Sequence, residues 1–140
     1  MKRVVEYLTM FIWGGFVYSI IEILWRGHTH WAMFIAGGVL FLIIGGLNSF
    51  LPWSFSFLRQ CIIGACIITL FELIFGLILN VWLGFGIWDY SHLPLNFMGQ
   101  ICLGFSVAWI AIAGVAIVLN DYLRYWLFDD EKPHYKLIGK

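Results

Sequence analysis

The feature that most constrains this chain is a series of four apolar runs, each about 20 residues long. They are Val5–Trp25, Trp31–Ser49, Arg59–Asn80 and Gly99–Leu119. A bilayer hydrocarbon core about 30 Å thick is crossed by about 20 apolar residues in helical form. In hydrocarbon only helices and closed barrels pair every backbone N–H and C=O group, and barrel strands are alternating segments of about ten residues. The runs therefore predict an all-α membrane protein with about four transmembrane helices.

The composition supports a lipid environment. Hydrophobic residues make up 62% of the chain and charged residues 11%, whereas soluble domains contain about 45–50% and about 25%. A chain of 140 residues has too much surface to hide that much apolar material from water, so the lipid bilayer is its expected partner. The formal net charge is zero, which gives no field that would attract nucleic acid. We expect one transmembrane domain over residues 1–128 and a polar cytoplasmic tail over 129–140.

The basic residues divide unequally between the two sides that four helices define. With the N-terminus inside, seven lie in the inner segments and only Arg26 lies in an outer one. The inner ones are Lys2, Arg3, Arg59, Arg124, Lys132, Lys136 and Lys140. Because Lys and Arg accumulate on the cytoplasmic side of membrane proteins, this bias predicts that both termini are cytoplasmic.

The segment Val81–Met98 differs from the four runs. It reads VWLGFGIWDYSHLPLNFM, which is too apolar for an ordinary loop. Its glycines and Pro94 interrupt it too often for a spanning helix. Non-helical backbone at membrane depth must be shielded by protein or touch water. We therefore predict an apolar outer cap between the third and fourth helices.

Two acidic residues fall inside the runs, and an ionisable residue in a membrane helix is a functional-site hypothesis by default. Glu22 lies four residues before Arg26, a spacing that allows an ion pair on one helical face. Glu72 has no basic residue within one turn. It must find a partner on another helix or stay protonated. It is either a neutral group that hydrogen-bonds across helices or a site for a proton, a cation or a solute.

Asp89 lies in the predicted cap and has two interpretations. Its carboxylate can accept a hydrogen bond from the backbone of Ser91 and form a turn, or it can bind a ligand. In the second case neighbouring aromatic rings and donors would surround the ligand, namely Trp88, Tyr90 and His92. Neutral polar groups at the same level would support either arrangement: Asn80, Asn96 and Gln100.

The sequence contains no pattern typical of a metal site or an enzyme. His28 and His30 are two residues apart, a spacing that suits no helical metal pair. The three cysteines all fall in apolar stretches and are expected to be small buried hydrophobes. No ATP-binding, zinc-protease or nucleophile-elbow motif is present. We therefore expect no metal, no cofactor and no catalytic residue, and we predict that the protein is not an enzyme.

Several short elements in the last two-thirds of the chain resemble a known family. They are Phe71–Glu72, Asn80–Gly84, Trp88–Ser91, Asn96, Gly99–Cys102 and Trp109. The Trp-Asp-Tyr-Ser element is the most diagnostic of them. Together they resemble the type IV ABC-transporter permease family, also called CmpB, whose members are small bacterial membrane proteins. The resemblance implies a multi-pass protein of the bacterial cell membrane with a transport role, and a separate ATPase subunit as a candidate partner.

Two functions remain open at this point. The first is a small, permease-like transport subunit that recognises a polar or cationic solute, or a proton, at an acidic site in the outer half of the membrane. In it Glu72 carries the coupling charge, Asp89 and Trp88 bind or gate, and Glu22 with Arg26 shapes the wall. The second is a structural or regulatory membrane protein that acts through helix–helix association with a partner.

Four helices of this length enclose little more than their own side chains, so the chain is expected to assemble. Small residues let helices approach closely in lipid, and the second helix contains Gly37, Gly38, Gly45 and Gly46. We predict that these glycines contact a second copy or another membrane partner. The charge bias favours a parallel homodimer with its two-fold axis along the membrane normal.

Overall fold

The computed structural model describes residues 2–49, 56–133 and 135, and at residues 2, 25, 26, 48 and 49 it describes the backbone alone. Four α-helices dominate it: α1 (Lys2–Arg26), α2 (Trp31–Gly45), α3 (Phe57–Gly76) and α4 (Leu103–Phe128). The predicted all-α class and the helix count are confirmed.

Three helices in the described part of the chain are long and apolar enough to cross a membrane, namely the segments Arg3–Leu24, Phe57–Trp82 and Leu103–Phe128. The remaining helix, α2, is also apolar but has only 15 residues, which gives a length of about 22 Å. A 3-10 turn, Gly46–Ser49, extends it by four residues. The count of four spans therefore stays a prediction, and the positions of the termini do as well.

The turn between α1 and α2 depends on two local features. Gly27 has a φ of +83°, the left-handed conformation that commonly ends a helix, and its N–H donates to the carbonyl of Ile23 at 2.7 Å. The Nδ1 of His30 accepts from the N–H of Ala32 at 3.1 Å and so caps the start of α2. His30 therefore has a structural role in this turn.

The chain divides into two compact units, Met1–Phe57 with Val115–Lys140, and Leu58–Gly114. In the first unit, glycine allows α1 and α2 to approach closely. A Cβ added to Gly14 would lie 2.9 Å from the carbonyl oxygen of Gly37, and a Cβ added to Gly37 would lie 3.0 Å from that of Gly14. A buried cluster of Met10, Phe41 and Leu123 forms part of this unit's core.

These contacts correct the predicted assembly surface. Gly37 and Gly38 are buried within the first unit, where side chains of α1 already occupy the space in front of them. Gly45 lies against the side chain of Asn120 on α4. The three glycines pack against helices of their own chain, so the prediction that they contact a second copy is wrong. Only Gly46 of the predicted set has open space in front of it.

The second unit contains α3, the connection that follows it, and the first half of α4. Beyond Gly76 the helix continues as a π-helix over Leu77–Trp82, and the N–H of Leu83 donates to the carbonyl of Ile78, five residues back. Residues 83–102, here called the α3–α4 connection, are otherwise irregular and end in a small antiparallel hairpin of Asn96–Phe97 and Ile101–Cys102. The predicted irregular segment is thus observed, but it ends four residues later than expected.

Candidate functional site

The carboxylate of Glu72 is the centre of the candidate site. Glu72 lies on α3 and is only 9% exposed. Its Oε2 accepts a hydrogen bond from the hydroxyl of Tyr90 at 2.9 Å, and its Oε1 accepts one from the indole Nε1 of Trp109 at 3.2 Å. Tyr90 belongs to the α3–α4 connection and Trp109 to α4. One carboxylate therefore links three consecutive parts of the second unit.

Aromatic packing holds the two donors in position. The ring of Tyr90 stacks on Phe105 with a centroid distance of 4.9 Å and an interplanar angle of 13°. Phe105 lies four residues before Trp109 on α4, and their ring centroids are 6.4 Å apart. Stacked and tilted ring pairs at these separations are favourable beyond the area they bury. The ring series therefore fixes where the Tyr90 hydroxyl and the Trp109 indole lie relative to Glu72.

A second polar contact lies one turn further along the same pair of helices. The hydroxyl of Thr69 donates to the hydroxyl of Ser106 at 3.0 Å. Thr69 is three residues before Glu72, and Ser106 is three residues before Trp109, so both residues lie on the faces that carry the site. The two contacts form a polar seam between α3 and the first half of α4.

Hydrogen bonds of Asn80 join the α3–α4 connection to the π-helical end of α3. Its Nδ2 donates to Oε1 of Gln100 at 2.9 Å, and its Oδ1 accepts from the N–H of Ile87 at 2.6 Å. The indole of Trp88, which is 6% exposed, donates to the backbone carbonyl of Gln100 at 3.0 Å. A Cβ on Gly76 would lie 2.9 Å from Cζ2 of Trp88. Asn80, Trp88 and Gln100 thus position the connection from which Tyr90 reaches Glu72.

Asp89 forms the turn that one interpretation of the sequence predicts. Its Oδ1 accepts from the backbone N–H of Ser91 at 2.9 Å. That hydrogen bond, together with one from the Ser91 side chain, holds the pKa of Asp89 below its ordinary value, and the nearby charge of His92 adds to the effect. Asp89 is exposed, whereas its neighbours Trp88 and Tyr90 are buried. Asp89 is therefore negatively charged at neutral pH on the surface of the connection.

Asn96 has a structural role in the hairpin. Its Nδ2 donates to the carbonyls of Leu93 at 2.8 Å and Ser91 at 3.3 Å, and its Oδ1 accepts from the N–H of Gly99 at 3.1 Å. Gly99 has a φ of +72°, a conformation that costs a side-chain-bearing residue energy. These contacts close the turn that leads into α4.

The second buried glutamate, Glu22, lies in the first unit. It is 6% exposed, and its Oε1 accepts from the hydroxyl of Thr29 at 2.7 Å. Its predicted partner is Arg26, whose side chain lies outside the described part of the structure. The ion pair between them therefore stays a prediction.

The first unit also contains a charged cluster that the sequence analysis did not identify. Arg124 is 2.6 Å from Oδ1 of Asp121, which is 3% exposed, and donates to the carbonyl of Gly45 at 3.2 Å. The hydroxyl of Tyr135 donates to Oδ2 of Asp121 at 2.8 Å. Burial and the charge of Asp121 raise the pKa of Tyr135 above its ordinary value of 10.0. Its contribution to stability is therefore complete below about pH 10 and falls as the pH rises further.

Sequence reasoning thus missed several residues. Trp109 and Phe105 look like ordinary packing residues in an apolar helix, and Thr69 and Ser106 are small polar residues without a local pattern. Asp121 and Arg124 could have been identified, because they are opposite charges three positions apart near the end of an apolar run, a spacing that allows an ion pair on a helix. Within residues 2–49, 56–133 and 135, no group of three or more His, Cys, Asp or Glu side chains is arranged to hold a metal ion.

Comparison with protein families identifies the family of this chain. Residues 9–135 match the model of the family described as "Putative ABC-transporter type IV". The match covers both units, including Glu72, Tyr90 and Trp109. No solved structure matches the chain.

Proposed function

The chain belongs to the type IV ABC-transporter family called CmpB, and from this premise we propose that it is a transport-related membrane subunit that recognises a cation or a proton at Glu72. In this proposal the protein is a multi-pass protein of the bacterial cell membrane with cytoplasmic termini. The α3–α4 connection then lies on the outer side, and the site lies in the outer half of the membrane.

The observation that carries the proposal is the placement of Glu72. It is buried in the middle of a 26-residue apolar segment, where an acidic residue is costly and most often serves transport or proton transfer. The hydrogen bonds from Tyr90 and Trp109 come from neutral donors. They stabilise the carboxylate without neutralising it, so a positive charge at this point would be stabilised by Coulomb attraction.

The other predicted site residues support this role from a distance. Asp89 is exposed and negatively charged, so it raises the local concentration of cations at the surface of the connection. Trp88, Asn80 and Gln100 hold the connection against the end of α3. We propose that Glu22 and Arg26 form part of the wall of the pathway in the first unit.

The proposal includes partners. The sequence has no ATP-binding motif, so any ATP hydrolysis belongs to a separate ATPase subunit. Assembly as a parallel homodimer, or with another membrane partner, uses a surface other than Gly37, Gly38 and Gly45, because those glycines face helices of their own chain.

Charge movement tests the proposed function. In proteoliposomes on a solid-supported membrane, a cation or proton that binds at Glu72 moves charge through part of the bilayer and produces a transient current. We expect steps in pH or in the concentration of small cations to give such a current with wild type and none with Glu72→Gln. Glu6→Gln is the matched control, because Glu6 lies in α1, within the other unit, and should keep the full response.

Equal currents from all three proteins would contradict the transport role. Glu72 would then serve only to join α3, the connection and α4 through its two hydrogen bonds. The alternative function, a structural or regulatory membrane protein that acts through helix–helix association, would take its place.

A further inference from the structure

The geometry points to a proton as the ligand of this site, and to Oε2 of Glu72 as the atom that takes it, with Tyr90 as the residue that changes from donor to acceptor. This inference rests on the proposed function, because it names the ligand of the same site. It follows from the different hydrogen-bonding capacities of the two groups that contact the carboxylate.

The two donors are not equivalent. An indole N–H can only donate a hydrogen bond, whereas a phenol hydroxyl can donate or accept. Oε1 of Glu72 lies 3.2 Å from the indole Nε1 of Trp109, and this indole cannot accept a hydrogen bond from a proton on Oε1. Oε2 lies 2.9 Å from the hydroxyl of Tyr90, which can accept from a protonated carboxyl. Of these two aromatic partners, only Tyr90 can therefore accept a hydrogen bond from the protonated carboxyl, which favours Oε2 as the oxygen that takes the proton.

Protonation at Oε2 requires very little movement. A hydronium ion gives up its proton to Oε2 and leaves as water, and the Tyr90 hydroxyl hydrogen turns away to free a lone pair. The stack of Tyr90 on Phe105 holds the ring in place, so only a rotation about the C–O bond is needed. Trp109 continues to donate to Oε1, which becomes the carbonyl oxygen of the acid. In both states Glu72 can therefore keep a hydrogen bond with Tyr90 and one from Trp109.

A larger cation fits the same geometry less well. Glu72 is only 9% exposed, and each of its oxygens already lies at hydrogen-bond distance from an aromatic side chain. A solute would have to displace Tyr90 or Trp109 from the carboxylate and separate the rings that stack around it. A proton requires only that the hydrogen bond between Tyr90 and Oε2 reverse its direction, and it displaces neither aromatic side chain.

Tyr90 is a titratable group in direct contact with Glu72. The first half of α4, residues 103–114, contains no acidic or basic residue. On α3, the nearest charged residue is Arg59, which is exposed and lies about 20 Å away along the helix. The connection contributes Asp89 and His92, and both are exposed. The other charged residues of α3 and the connection are thus exposed, whereas Tyr90 contacts the carboxyl directly.

Infrared spectroscopy of protein carrying isotope-labelled glutamate tests the inference. The chain contains four glutamates, Glu6, Glu22, Glu72 and Glu131, so the labelled carbonyl bands are few. On lowering the pH of reconstituted wild type, we expect a labelled carbonyl band of a protonated acid that is present in Glu6→Gln and absent in Glu72→Gln. If the labelled bands of Glu72→Gln were the same as those of wild type, with no band lost, the inference would be overturned.

A second variant identifies the oxygen. A carbonyl group that accepts a hydrogen bond vibrates at a lower frequency than a free one. If Oε1 is the carbonyl oxygen of the protonated acid, Trp109→Phe removes that hydrogen bond and moves the Glu72 band to higher wavenumber. A band at the wild-type position in folded Trp109→Phe would show that Oε1 is not the hydrogen-bonded carbonyl, and would overturn the assignment to Oε2.

Solid-state NMR gives an independent reading that needs no Trp109 variant. The labelled carboxyl carbon of Glu72, assigned by its loss in Glu72→Gln, should change its chemical shift with the same pH midpoint as the infrared band. Its through-space contact with an indole nitrogen should persist in both states. Loss of that contact on protonation would contradict the continued donation from Trp109.

The two proposals can fail separately. If Glu72 gains a proton but the currents of Glu72→Gln equal those of wild type, the inference stands and the transport role fails. If small cations give currents that depend on Glu72 while no protonated band arises from it, the transport role stands and the proton assignment fails.

Discussion

Asp121→Ala should destabilise the protein by about 3 kcal/mol, since removing one partner of a buried ion pair leaves the other charge uncompensated. Asp121 is 3% exposed and accepts hydrogen bonds from Arg124 at 2.6 Å and Tyr135 at 2.8 Å. Arg124 also donates to the carbonyl of Gly45, so the substitution weakens the contact between the end of α2 and α4. Equilibrium unfolding in mixed micelles of a mild and a denaturing detergent measures the loss.

Asp130→Asn is the matched control within the same cluster. Asp130 also lies near Arg124, but its side chain is 51% exposed and its carboxylate is 3.6 Å from the guanidinium. Exposed ion pairs contribute about 0–1 kcal/mol, so Asp130→Asn should change the free energy of unfolding by no more than that. Equal losses for the two variants would show that burial of Asp121 does not determine the energy of the cluster.

Glu72→Ala should cost about 2–4 kcal/mol, because it leaves the buried Tyr90 hydroxyl and the half-buried Trp109 indole without their acceptor. Glu72→Gln should cost less than about 1 kcal/mol, since its amide oxygen can accept from Trp109 and its amide nitrogen can donate to Tyr90. The same unfolding assay compares the two variants.

A double variant separates hydrogen bonding from packing. Adding Tyr90→Phe to Glu72→Ala removes one of the two orphaned donors, and deleting both partners of a hydrogen bond is much less costly than deleting one. The free energy of unfolding of the double variant should therefore exceed that of Glu72→Ala alone. If Tyr90→Phe lowers it further by its full cost in the wild-type background, Tyr90 and Glu72 are not energetically coupled.

The positions of the helices follow closely from the sequence, since apolar length and breaking residues decide them. The first apolar run predicted the ends of α1 to within three residues, and the third run, Arg59–Asn80, differs by two residues at each end from the helical segment Phe57–Trp82. The π-helical continuation over Leu77–Trp82 was not predicted. Asn80 lies within it and accepts a hydrogen bond from the backbone of the connection, a tertiary contact that no local sequence pattern predicts.

The candidate site was predicted only in part, for a similar reason. The cost of burying a carboxylate identifies Glu72 from sequence alone. Its partners cannot be identified in that way, because Tyr90 and Trp109 are 18 and 37 residues away along the chain. Both are aromatic residues in apolar surroundings, where packing is the usual role. The path of the α3–α4 connection decides which of the aromatic residues in the chain come close enough to donate to Glu72.

For the glycines of α2, the sequence predicts the contact but not the partner. Small residues on α2 predict close helix contact, and the structure confirms that contact. The pattern does not say whether the partner helix belongs to the same chain or to another. Here α1 and α4 fill the space in front of Gly37, Gly38 and Gly45.

Proton recognition at Glu72 requires a buried carboxyl that protons from the solvent can reach. Reaction with a hydrophobic carbodiimide tests this requirement most directly. Such reagents modify protonated carboxylic acids in apolar surroundings, and mass spectrometry of the protein locates the modification. We predict modification of Glu72 in native membranes that falls as the pH rises, occurs equally in Glu6→Gln, and is lost in Glu72→Gln. If Glu72 stayed unmodified at every pH in the folded protein, yet reacted once the protein was unfolded, proton recognition at Glu72 would be contradicted.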